Sequence, residues 1–422
     1  MSKIKLGEHI RIIPGFPFNS ALFNNDGDGM PLIRIRDLLA SKIETYYKGE
    51  FSKEYLIEEG DILIGMDGDF HIVKWRNKTK ALLNQRIMKV AQKEGAKINI
   101  EYFYYFLFPF LSDVWEKTTA TTVKHLSTYD VSEAEVEFPA FEVQQRIAKI
   151  LSTADAVIEK TQSAIAKYKA IKQGLLYDLF TRGLVAEPTT YTDKNGRVIE
   201  LSRNQLRPRY EDAPGLYKES KLGLIPSEWE ILPVSSVSEN LDGARIPVKQ
   251  EDRDKQREVF PYYGASGIID YVEGYIFDEP LILLGEDGEN VISRNLPLAF
   301  KVSGKIWVNN HAHVLRPIPT VVTIDFLCEI LESINYSTIV SGTAQPKITQ
   351  GALSAVLLPI PKMDEQLLMS ERIVSITKKL QTEQTYLQKM QSLKKGLMVD
   401  LLSGKKQVKI LEPETSNSEA DA

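Results

Sequence analysis

The sequence predicts an α+β protein built as a tandem repeat: two mixed α/β domains, each followed by a long helix. Three observations carry that reading. First, set against itself at an offset of 222, the chain lays Phe138-Pro-Ala-Phe-Glu-Val-Gln144 on Ile360-Pro-Lys-Met-Asp-Glu-Gln366, and continues without a gap to Gly174-Leu-Leu-Tyr-Asp-Leu-Phe180 on Gly396-Leu-Met-Val-Asp-Leu-Leu402. Further back, Ala120-Thr-Thr falls on Gly342-Thr-Ala, and Leu126-Ser127 on Ile348-Thr349. Nearer the amino end the offset drifts, as loop insertions would make it. Asn84-Gln-Arg86 then pairs with Asn309-Asn-His311, and Ile62-Leu-Ile-Gly-Met-Asp-Gly68 with Ile282-Leu-Leu-Gly-Glu-Asp-Gly288. Second, each copy ends in a heptad seam. Third, each seam is preceded by short β-rich runs separated by Gly, Asn and Asp turns.

Residues 1–140 form the first domain, with strands expected at Pro31-Leu-Ile-Arg-Ile and Asp61-Ile-Leu-Ile-Gly and a helix near 101–117. Residues 141–183 form the first long helix. Its apolar positions step by four and three alternately: Ile147, Leu151, Ala154, Ile158, Thr161, Ile165, Tyr168, Lys172, Leu175, Leu179. That period lies nearer 3.5 than 3.6, which favours pairing with a second helix over packing on its own domain. Residues 184–228, polar and rich in proline, read as a linker. The second domain is 229–360, with a strand at Pro280-Leu-Ile-Leu-Leu-Gly and a helix near 325–334. The second long helix is 361–405, with the seam Met369, Ile373, Ile376, Leu380, Glu383, Leu387, Met390, Lys394, Leu397, Leu401. Both seams carry a polar residue at the fifth place and a lysine at the eighth. Residues 406–422 read as a disordered acidic tail. Ile147, Leu151, Ile158 and Ile165, with Ile373, Leu380 and Leu387, are the candidates for helix pairing, and Gln144 and Gln366 join them as residues that hold the fold or a partner.

Length and composition bound the function. A chain of 422 residues, 43% hydrophobic, is long enough for several buried cores. The single cysteine, Cys328, excludes a disulfide framework or Cys-rich zinc site and fits a reducing, cytoplasmic setting. The amino terminus lacks the pattern of a signal peptide, and the apolar run Tyr102 to Leu111 is too short for a membrane span. No phosphate-binding glycine loop is present, and Tyr263-Gly-Ala-Ser-Gly267 reads as a turn. Asn24-Asn-Asp26-Gly-Asp28-Gly29 starts like a calcium loop, but the twelfth position is Ile35. Asp67-Gly-Asp69 and Glu286-Asp287-Gly-Glu289 read as paired turns. His311 and His313 share a strand face without an evident third metal ligand, which favours surface or base contact over metal binding. The chain is therefore expected to catalyse nothing by itself.

A formal charge of −5 argues against DNA, but the charge is unevenly distributed. Residues 71–97 hold Lys74, Arg76, Lys78, Lys80, Arg86, Lys89, Lys93 and Lys97 against Glu94 alone, and 290–316 hold Arg294, Lys301, Lys305 and Arg316 with no acid. Lysine and arginine contact phosphates, whereas Asn84, Gln85 and Arg86, and Asn309, Asn310 and His311, are types that read base edges. A solvated charged face is the alternative. The aromatic run Tyr102–Phe110 is either a DNA-reading surface of the first copy or a core helix.

The duplicated Phe/Ile-Pro-x-x-Glu/Asp-x-Gln opening of each helix, its Gly-Leu-x-x-Asp-Leu close, and Gly223-Leu-Ile-Pro-Ser-Glu-Trp229 resemble the specificity subunit of a type I restriction-modification enzyme over nearly the whole chain, in order. The resemblance implies two target recognition domains, 1–140 and 229–360, held apart by two antiparallel helices. Each domain would read half of an asymmetric bipartite site on double-stranded DNA. The helices would dock two modification subunits, which methylate adenine, and restriction subunits would join through these. No cofactor is implied in this chain, since S-adenosylmethionine, ATP and Mg belong to the partners, and no membrane is involved. Two copies in one chain also supply a pseudo-two-fold match to two half-sites, with the helix pair as a ruler between them. A single-chain DNA enzyme and a coiled-coil adaptor that binds only proteins are the alternatives.

Overall fold

The computed structural model describes residues 2–39, 43–118, 123–253, 259–342 and 345–408. In chain order its first half contains β1 (Ser2–Lys5), β2 (Ile10–Pro14), β3 (Ile62–Gly65), β4 (Ile72–Lys74), β5 (Ile87–Gln92), α1 (Ile100–Lys117), β6 (Glu135–Phe138) and the long helix α2 (Phe141–Arg182). The second half repeats the series as β7 (Glu230–Pro233), β8 (Ser238–Asn240), β9 (Leu281–Gly285), β10 (Ala299–Val302), β11 (Ala312–Pro317), α3 (Ile324–Ser333), β12 (Leu357–Ile360) and the long helix α4 (Met363–Leu402). The central sheet runs β2-β5-β3-β4 in one copy and β8-β11-β9-β10 in the other, and β1 pairs with β6 as β7 pairs with β12.

The continuous apolar runs of β3 and β9 have a physical reason. Successive side chains of a strand point to opposite faces, and here both faces are covered. Ile62 and Ile64 enter the core under α1, while Leu63 enters a second core with Ile33, Trp75 and Leu83. Ile282 and Leu284 pack in the core of α3, and Leu281 and Leu283 on the other side with Phe277 and Val308. The copies diverge in the sheet over this second core. It has five short strands in the first copy, and four in the second, formed by Phe260–Gly264, Gly267–Val272, Phe277–Asp278 and Lys305–Val308.

Packing divides the chain into Met1–Gln162 with Thr385–Ala422, and Ser163–Gln384. The boundaries read from sequence followed the ends of the helices, whereas these units divide each long helix near its middle. In the first unit Ile147, Ala148 and Leu151 of α2 pack in one core with Leu397, Met398 and Leu401 of α4. Asp155 lies further along α2 and meets Lys394, earlier on α4, at 2.6 Å, so the segments run antiparallel. In the second unit Leu175, Leu179 and Phe180 share a core with Leu368, Met369 and Ile373. Ile165 is buried too, and Ile158, Leu380 and Leu387 are half-buried.

Gln144 and Gln366 are not seam residues. Each is a buried clamp within its own unit. Gln144 Oε1 accepts from the backbone N–H of Asn99, the N-cap of α1, at 2.8 Å, and its Nε2 donates to the Pro139 carbonyl at 2.9 Å. Gln366 does the same with Thr323, the N-cap of α3, and with Pro361, both at 2.9 Å. The N-cap residues in turn accept from Tyr102 N and Phe326 N.

The lysine that interrupts both seams has acquired different partners. Lys394 binds Asp155, which also accepts from the Tyr105 hydroxyl at 2.7 Å. Lys172 instead pairs with Glu329 of α3 at 2.9 Å. Thr377 stands 222 positions after Asp155 and has a buried hydroxyl with no hydrogen-bond partner. The acid has moved from the long helix to the domain helix between copies.

Residues 184–228 are folded, and the linker expectation is corrected. They form the hairpins Thr189–Thr192 with Val198–Leu201, and Tyr217–Ser220 with Gly223–Pro226. Arg207, 7% exposed, grips Glu365, 2% exposed, through two hydrogen bonds of 2.5 and 2.9 Å. Glu365 also accepts from Trp229 Nε1 and Leu184 N. Gly183, at φ +65°, must be glycine, since a Cβ there would lie 2.1 Å from Glu365 Oε1. Polar composition looked like a linker because the acid that neutralises Arg207 lies 158 residues away.

The aromatic run belongs to the core: Tyr102, Phe103, Tyr105, Leu107 and Leu111 of α1 are buried, which removes them as a reading surface. The tail expected from 406 begins later. Lys406 N bonds the Asp400 carbonyl at 3.1 Å and Val408 packs on the first core; residues 409–422 lie outside the described residues, as do 119–122 and 343–344, where part of the repeat match falls. Among the described residues no helix is long and apolar enough to cross a membrane.

Two outcomes follow for thermal unfolding. Gln144→Leu leaves a buried N–H and carbonyl unpaired and is expected to destabilise the first unit by about 3 kcal/mol; an unchanged transition would refute the clamp. Asp155→Thr, which strands a half-buried lysine, is expected to lower stability by about 1–3 kcal/mol. Adding Lys394→Met should then recover part of the loss, and strictly additive effects would show the pair to be uncoupled.

Candidate nucleic-acid interface

Most cations of the two basic stretches are bound inside their own unit. Lys74 pairs with Glu101 of α1, Arg76 with Glu159 of α2, and Lys80 with Glu58. Lys89 binds Asp61 at 3.3 Å and donates to the Leu56 carbonyl. In the second unit Arg294 binds Glu332 at 2.9 Å, Lys301 binds Asp325, and Arg316 bridges Glu239 and Glu279. The expectation of a free basic face over 71–97 and 290–316 is therefore corrected. The acids come from distant segments that a local charge window does not contain. Lys78 and Lys305 are exposed and form no ion pair among the described residues; Lys305 lies 4.7 Å over the Tyr275 ring.

Asn84 and Asn309 are 7% and 5% exposed, and they shape loops rather than reading bases. Asn84 Oδ1 accepts from Gln85 N and Asn309 Oδ1 from His311 N. Gly15 lies so close beneath this turn that a Cβ would come within 2.0 Å of the Asn84 carbonyl oxygen. Each buried asparagine presents two exposed residues at a hairpin tip: Gln85 and Arg86, and Asn310 and His311. Arg86 holds φ +73°, a left-handed conformation uncommon for a side chain of its size.

Around each tip the fold builds the same three-part cluster. The loop after β3 brings Asp67, and the loop after β9 brings Asp287. Segments 123–126 and 345–348 strap on alongside: Gly68 N donates to the Lys124 carbonyl, and Gly288 N to that of Pro346. In the first unit Asp67 faces Arg86 at 3.4 Å and His125 Nδ1 at 2.6 Å. In the second, Asp287 faces His311 Nδ1 at 2.9 Å, and Lys347 binds the adjacent Glu286 at 2.8 Å. The tip and strap cations have exchanged types between copies. Arg86, His125, His311 and Lys347 are each about half exposed, so each can donate outward while an acid holds it in place. Sequence reading missed His125, Lys124 and Lys347; the 222-residue match reached the strap at Leu126 and Ile348, but gave no sign of which loop it would join.

The second unit supports its cluster with a buried ionic network. His313, fully buried, stands opposite Leu284 as Met88 stands opposite Ile64. Its Nδ1 meets Asp242 at 2.6 Å and its Nε2 the Ile348 carbonyl at 2.8 Å. Both ring nitrogens are engaged, so the surface or base-contacting role expected of His313 is excluded. Arg245 joins Glu286 at 2.5 Å and the Ala312 carbonyl at 2.8 Å. Burial pushes Asp242 up, but the hydrogen bond and charge of His313 and the Val314 N–H outweigh it and hold the carboxyl below its usual range. Lys347 and Arg245 do the same for Glu286 against its burial. Burial raises the Cys328 thiol to about 12, far from a reactive thiolate. Among the described residues no group of three His, Cys, Asp or Glu is placed to hold a metal ion.

Residues 1–167 and 226–392 each match the type I restriction modification DNA specificity domain. The chain is 35% identical over 231 residues to the type I restriction enzyme EcoBI specificity subunit of Escherichia coli, a match covering 54% of this chain and 44% of that relative. It therefore spans less than half of that protein. Similarity to the MjaVIII specificity subunit of Methanocaldococcus jannaschii is 25% identity over 97% of this chain and 93% of the other. Among solved structures, the type I restriction-modification S subunit from M. genitalium shares the fold, with a TM-score of 0.63 at 14% identity over 95% of each chain.

Arg86→Ala is expected to weaken retention of duplex DNA and reduce the salt dependence of binding by about one phosphate contact. Lys74→Ala is expected to lower thermal stability and leave that slope alone. Fluorescence anisotropy at several salt concentrations separates the two, and the opposite pattern would return the interface to the basic stretch.

Proposed function

The chain belongs to the type I restriction modification DNA specificity family, and from that premise we propose that it is the non-catalytic subunit that selects the DNA sequence for a modification and restriction complex. The observation that carries this reading is the cluster built twice in one chain, with the same frame and different cations: Asp67 with Arg86 and His125, and Asp287 with His311 beside Lys347. Equivalent frames support equivalent contacts to the duplex, while different tips support different sequences. Each unit then reads one half of an asymmetric bipartite site.

In this reading the exposed Gln85, Arg86, Asn310 and His311 make base or phosphate contacts, with Lys124, His125 and Lys347 beside them. Two modification subunits, carrying S-adenosylmethionine, dock on the long helices, and restriction subunits with ATP and Mg join through them in the cytoplasm. Each long helix is continuous and contributes residues to both units, which suits a ruler for the unread spacer.

Mapping methylated adenines across the host genome, with and without this gene, tests the proposal. A bipartite motif is expected to vanish on deletion, and an unchanged map would overturn it. Inserting four residues, about one helical turn, within 147–179 is expected to alter the spacer and leave both half-sites as they were.

A further inference from the structure

Both long helices carry, at the same repeat position, a surface that their own units leave uncovered. On α2, Ile171 and Tyr177 are 44% and 69% exposed. On α4, Leu393 and Val399, each 222 positions later, are 51% and 54% exposed. Midway between them stand Gly174 and Gly396, where an added Cβ meets nothing within 4 Å. Glycine inside a helix is less stable than alanine by about 1 kcal/mol, and no neighbour requires it here. Apolar, glycine and apolar at intervals of three form one ridge with bare backbone at its centre, a shape suited to the close approach of another helix.

The flanks state the chemistry of the occupant. Residues 163–177 and 385–399 contain no aspartate or glutamate. Lys172 and Lys394 are held in ion pairs, whereas Lys167, Lys169, Lys389 and Lys395 are exposed and have no ion partner among the described residues. An aliphatic ridge between lysines fits an amphipathic helix whose apolar seam is flanked by acids. DNA phosphates would match the lysines but leave the ridge without a function.

The repeat fixes the number of occupants. The hairpin tips have diverged between copies, yet this ridge has kept its pattern. A surface kept alike beside recognition tips that differ faces the same partner twice. We infer that each ridge docks one acid-flanked amphipathic helix of a modification subunit, one copy on Ile171-Gly174-Tyr177 and a second on Leu393-Gly396-Val399. This rests on the reading that two identical modification subunits join the chain.

The test is co-expression of the full chain with its modification subunit and measurement of complex mass by light scattering. The wild-type chain is expected to hold two copies, Tyr177→Glu and Val399→Glu one each, and the double variant none, with the melting temperature of the chain alone unchanged. Gly174→Ala is expected to keep or raise that melting temperature while weakening capture of one copy about tenfold, an opposition that a purely structural role would not produce. A double variant that still holds two copies overturns the inference and leaves the functional reading intact. A wild-type chain that holds none overturns that reading and the inference with it. Loss of DNA retention with two copies still bound would assign the ridge to DNA and likewise overturn the inference.

Discussion

In both units a buried glutamine at the start of a long helix holds three things at once: the proline turn that leads into that helix, the N-cap of the domain's own helix, and through that cap the core beneath it. An amide suits the position because it donates and accepts without charge. The backbone groups it pairs lie away from water, where an unmet hydrogen bond costs about 1–3 kcal/mol each. The arrangement of domain on helix therefore depends on one side chain per copy. The sheets, the clusters at their ends and the paired helix segments are organised around it.

On this shared frame the copies differ by exchange of charge. The acid that meets the seam lysine sits on the long helix in one unit and on the domain helix in the other. Arginine occupies the tip in one cluster and histidine in the other, with histidine or lysine on the strap. Met88 in one sheet is replaced by the doubly bonded His313 in the other, and a buried network of Asp242, Arg245 and Glu286 accompanies it. Each exchange keeps local charge balanced, as burial requires. That is how a duplicated frame can diverge at its surface without losing its core.

Much of the fold was legible because it follows from repetition and period. The offset of 222 located both copies, the three-and-four spacing located both long helices, and the all-apolar runs at Ile62 and Leu281 marked strands covered on both faces. The site was only partly legible. The tips at Gln85-Arg86 and Asn310-His311 stood out by residue type, but Asn84 and Asn309 proved to be loop supports and the lysines around them ion-pair partners. His125 and Lys347 gave no local signal, because their importance comes from a strap that joins a loop some 60 residues away.

The sequence by itself determined what depends on order along the chain: duplication, helical and strand periods, the polar breaks in the seams, and the family to which these patterns belong. Tertiary structure alone decided which charges are free. Glu159 reaches Arg76 across 83 positions and Glu365 reaches Arg207 across 158, so a stretch that counts as strongly basic is largely neutralised and a stretch that reads as a linker is folded. Charge interaction falls with distance in space and is indifferent to distance in sequence. No local window of residues contains that information until the chain has folded.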